Sequence, residues 1–101
     1  MTAMIVRTAD RLFVTEAQLE EAIGIIEAVC GAAGIHPDLE ITTATDPETD
    51  DPPVTMIVAE FTQAMEMRAF VELTGRAAEA LGERGLFEPA VRLSLDPRPR
   101  W

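Results

Sequence analysis

The sequence predicts an α+β domain of the ferredoxin-like type, β-α-β-β-α-β, with a four-stranded antiparallel sheet and both helices on one face. Three observations lead there. Two long segments with helical apolar periodicity alternate with short β-rich runs. Each of those helices stops at a glycine followed by an apolar residue, Gly34-Ile35 and Gly85-Leu86. The only long polar interruption, residues 46–53, lies between the two middle strands. Two right-handed crossovers arranged this way place both helices on the same side of the sheet.

Residues 3–7 read as the first strand, and Leu12-Phe13-Val14 as a second short strand or as packing beneath the helix that follows. Thr15 is placed to cap that helix. Gln18 three residues on completes a capping box, with Val14 and Leu19 as the ends of a hydrophobic staple. Leu19, Ala22, Ile23, Ile26, Val29, Cys30 and Ala33 fall in one stripe roughly 120° wide, so one face is buried. Pro37 prevents continuation beyond Gly34.

Leu39, Ile41 and Thr43 alternate with Glu40, Thr42 and Ala44, and Val54 to Phe61 is β-branched and aromatic; together they read as a hairpin. Thr62 is expected to cap a second helix reaching about Arg84, with Met67, Phe70, Val71, Thr74, Ala77, Ala78 and Leu81 on its buried face. Residues 90–95 form the last expected strand, with Val91, Leu93 and Leu95 inward, and residues 96–101 an extended tail. The domain is thus residues 1–95.

Charge narrows the function. The chain has 101 residues and a net charge of −10, from 18 acids and eight bases, every one of them Arg. Clustered cations for nucleic-acid phosphates or anionic membranes are missing. No lysine is available for Schiff-base chemistry or phosphate cradling. No apolar run is long enough for a membrane span, and Met1–Val6 has no basic region ahead of an apolar stretch, so a cytoplasmic protein is expected.

The excess is localised. Residues 38–62 carry seven acids and no base. Six of them, Asp38, Glu40, Asp46, Glu48, Asp50 and Asp51, make an acidic hairpin suited to a basic protein surface. Asp46, Glu48 and Asp50 match part of a calcium loop, but Asp51 stands where that loop needs glycine and Ile57 where it needs glutamate. No cofactor or metal is therefore expected. His36 is the only histidine, Cys30 lies in a buried stripe, and Ser94 is the only serine, so no catalytic constellation is evident.

These residues point to a small acidic binding protein, an inhibitor or immunity-type protein imitating nucleic acid at a cationic site on its partner. The alternative is a dimeric domain that binds or transforms a small molecule in a cleft near Phe61, Phe70, Phe87 and the methionines. Because Thr55, Ile57, Ala59, Phe61 and Val54, Met56, Val58 are both largely apolar sets, a homodimer through the open sheet face is also expected. Met65 is expected on the polar side of the second helix, and the Arg98–Trp101 tail is free to dock on the acidic hairpin or to remain loose.

Overall fold

A computed structural model describes residues 4–45, 47–50 and 52–100. The elements are β1 (Ile5–Arg7), α1 (Glu16–Ala32), β2 (Asp38–Ala44), β3 (Val54–Glu60), α2 (Met67–Glu83) and β4 (Leu93–Arg98). The element order is the expected one, but the sheet is not. It is mixed, in the order β1-β2-β3-β4, with β1 parallel to β2, β2 antiparallel to β3, and β3 parallel to β4.

The ferredoxin-like arrangement would put β1 in the interior of the sheet. β1 is unsuited to that place: it has three residues, all exposed, and ends in Arg7. The guanidinium of Arg7 is engaged bidentately by the Glu16 carboxylate at 2.8 and 2.9 Å. The seven-residue strands β2 and β3 occupy the centre instead, and Pro97 sits in the edge strand β4. Thr55 and Phe61 donate their N–H groups to the carbonyls of Arg92 and Arg98, so alternation turns the nitrogen of Pro97 outward, where no ladder bond is lost.

Both helices cover one face. Leu39 and Ile41 of β2 and Thr55, Ile57 and Ala59 of β3 are buried toward Leu19, Ala22, Ile26 and Cys30 of α1 and Leu73, Ala77 and Leu81 of α2. The helices run antiparallel, joined by an ion pair of 2.6 Å between Arg84 and Glu21. Each helix links adjacent parallel strands, and the two strand pairs point in opposite directions while stepping the same way across the sheet. With both helices on one side, the two crossovers therefore have opposite hands. One of them is of the left-handed kind that only about 2% of such connections adopt.

Locally, α1 forms as its residues dictate. The Thr15 hydroxyl accepts the Gln18 N–H at 3.0 Å and the Gln18 side chain accepts the Thr15 N–H at 2.9 Å, closing the capping box. Gly34 and Gly85 take the left-handed conformation, φ 73° and 70°, that stops each helix.

α2 starts four residues later than a Thr62 cap implies, at Met67, with Glu66 as N-cap and no side-chain cap bond. The preceding segment is held elsewhere: the Met65 N–H donates to the Arg100 carbonyl, and the Arg100 guanidinium donates to the Thr62 carbonyl. Met65 consequently folds onto the core instead of lying on the polar side of the helix. The last strand is shifted toward the C-terminus, because Val91 N–H turns back to the Glu88 carbonyl and pairing begins at Leu93. The first three residues of the expected tail, Asp96 to Arg98, are thus strand, and Arg100 lies beside Thr62 and Met65.

Candidate functional site: the acidic open face of the sheet

Period-2 alternation sends every second strand residue to the side away from the helices. In β2 these are Asp38, Glu40 and Thr42; in β3, Met56, Val58 and Glu60; in β4, Ser94, Asp96 and Arg98. Register sets them in rows across the sheet. Glu40 stands opposite Val58, which stands opposite Asp96, while Asp38 stands opposite Glu60, which stands opposite Arg98. Val6 extends the first row on β1.

A shallow groove of about 180 Å³ follows these rows, lined by Met4, Val6, Asp38, Glu40, Val58, Glu60 and Arg98 among others. Val58 is only 4% exposed although it lies on the uncovered face. The surface is therefore a small apolar centre rimmed by carboxylates. The Asp38 carboxylate accepts the Met4 N–H at 3.0 Å and Glu40 accepts the Thr8 hydroxyl at 3.2 Å. Both donors are neutral groups, a backbone N–H and a hydroxyl. Arg98 is turned to Asp96 at 3.2 Å.

The six acids named from the sequence do not form one cluster. Asp38 and Glu40 lie on this face, at the start of β2. Glu48 and Asp50 are exposed in the connection beyond Ala44, roughly 20 Å further along the strand direction. Asp46 and Asp51 lie outside the described residues. Glu60 and Asp96 join Asp38 and Glu40 instead. Glu60 is the seventh acid of residues 38–62, and the signal for Asp96 is the alternation Ser94, Asp96, Arg98, which continues the strand through Pro97.

Other candidate groups are placed as follows. Cys30 is buried on α1, and burial pushes its thiol above the ordinary value. His36 is exposed at the exit from α1. Phe61 in the core and the partly buried Phe70 pack edge to face, with centroids 5.5 Å apart. Among the described residues no group of three or more His, Cys, Asp or Glu is gathered to hold a metal ion, and no helix is long and apolar enough to cross a membrane.

Comparison with protein-family models, with curated proteins and with solved structures finds no match to this chain.

Proposed function

We propose that this protein is a small non-enzymatic binding protein whose acidic surface occupies a cationic site on a basic partner protein, in the manner of an inhibitor that imitates nucleic acid. The observation that carries the reading is the row arrangement of Asp38, Glu40, Glu60 and Asp96 around Val58, with one arginine, Arg98, on the same face. An arginine or lysine of the partner fits it in a defined way. The aliphatic stem lies over Val58 and the charged head meets the carboxylates of Asp38, Glu40 and Glu60. Glu48 and Asp50 at the hairpin connection extend the negative potential and steer approach.

A second copy of the chain is a poor occupant for this face. Two such faces would set carboxylate against carboxylate, and like charges directly opposed are destabilising. A cleft enzyme is also less well supported, because Phe61 and Phe70 are spent on packing each other.

The test uses an oligoarginine peptide and a basic DNA-binding protein as probes. Binding should fall steeply between about 50 and about 200 mM salt, and the protein should displace DNA from the probe protein. The triple change Asp38→Asn, Glu40→Gln, Glu60→Gln should weaken binding more than Glu48→Gln with Asp50→Asn. Binding unchanged by both sets of substitutions would overturn the reading.

A further inference from the structure

α2 carries two apolar stripes and its own chain covers one. Phe70, Leu73, Ala77 and Leu81 face the core. On the neighbouring arc, between that face and the charged arc of Arg68, Glu72, Arg76, Glu79 and Glu83, lie Met67, Val71, Thr74, Gly75, Ala78 and Gly82. Met67 is 66% exposed and Val71 58%. The Thr74 hydroxyl is satisfied within the helix, donating to the Phe70 carbonyl at 2.9 Å. A groove beside this arc, toward β4, is walled by Val71, Gly75, Ala78, Phe87, Leu95 and Pro97, all uncharged.

From this stripe we infer that the occupant is a second copy of the same chain, packed α2 against α2 in an antiparallel pair. The order of side-chain sizes carries the inference. A two-fold axis passing between Thr74 and Gly75 sets Met67 opposite Gly82, Val71 opposite Ala78, and Thr74 opposite Gly75. A large residue meets a small one each time, which is what close self-packing needs.

Gly75 and Gly82 support this. Nothing in their own chain lies within 4 Å of a Cβ built at either position, so neither glycine is required by the monomer's packing. Charge agrees as well. Arg68 and Glu79 border the stripe, and the same axis brings each toward the other's counterpart with opposite sign. In a chain of net charge −10, an uncharged stripe with such a border lets two copies meet without setting carboxylate against carboxylate.

The test is sedimentation velocity over a concentration series reaching about 100 µM, with covalent trapping. The wild-type protein should dimerise reversibly. Val71→Glu should raise the dissociation constant by at least about tenfold, with an unfolding midpoint equal to that of the wild type at dilutions where both are monomeric, because the side chain is exposed in the monomer. Met56→Glu, on the open sheet face, should leave it unchanged. Gly75→Cys should form a disulfide-linked dimer on mild oxidation much faster than Gly24→Cys on α1, whose Cβ position is equally open. The native Cys30 is buried and does not compete. A wild-type protein monomeric throughout, a dimer lost only with Met56→Glu, or equal trapping at positions 75 and 24 would each overturn the inference.

Discussion

The backbone N–H of Phe13 donates to the Oγ1 of Thr55 at 2.8 Å, across 42 positions of sequence. Thr55 is fully buried, on the helix-facing side of β3. The bond ties the connection between β1 and α1 to the middle of the sheet and satisfies a donor that the core would otherwise strand. Thr55→Val keeps the shape and removes the acceptor, so it should cost about 1–3 kcal/mol. Thr55→Ser should cost less. Urea denaturation of the three proteins measures both, and a Val variant as stable as the wild type would show that the Phe13 N–H finds another partner.

The two helix starts are unequal. α1 has a closed capping box, and α2 has Glu66 at its N-cap with no side-chain bond. Thr15→Ala should therefore destabilise by about 0.5–2 kcal/mol, while Glu66→Asp should stabilise by several tenths of a kcal/mol or more. Thermal unfolding should separate the variants in opposite directions from the wild type.

The bidentate hydrogen bonds from Arg7 hold the Glu16 carboxyl below its ordinary value of 4.5. The folded state thus binds the proton of this group less tightly than the unfolded chain does. Its stabilising contribution is present above pH 4.5 and disappears as pH falls through the lower, folded value. Glu16→Gln should accordingly lower the urea midpoint at neutral pH, with the difference from wild type closing in acid. A difference independent of pH would assign the effect to packing instead.

The burial that raises the Cys30 thiol also shields it. A thiol reagent at neutral pH should label the native protein slowly, and labelling should accelerate with denaturant in step with unfolding. Rapid labelling without denaturant would mean that the C-terminal turn of α1 opens on its own.

Much of this architecture was legible in local chemistry. Thr15 with Gln18, the apolar positions from Leu19 to Cys30, and the glycines at 34 and 85 each act through neighbours within a few residues, so sequence displays them directly. Strand order is different in kind. The alternation in β2 or β3 says which side chains share a face but not which strand lies alongside. The available hints were the shortness of β1 and the proline at 97, both of which favour edges.

The start of α2 was misplaced because it depends on Arg100, which is distant in sequence and captures the backbone around Thr62 and Met65. The acidic site divides along the same line. Its excess of charge is visible in composition, whereas the meeting of Asp38 and Glu40 with Glu60 and Asp96 requires the register of three strands.

The opposed hands of the two β-α-β units have a consequence for ancestry and assembly. Objects of opposite chirality cannot be brought into coincidence by turning, so β1-α1-β2 is not a rotated image of β3-α2-β4. The chain does not carry the internal pseudo-symmetry that fusion of a doubled gene leaves behind. For the same reason neither unit of one molecule can stand in for the other unit of a neighbour, and exchange between copies is confined to like for like.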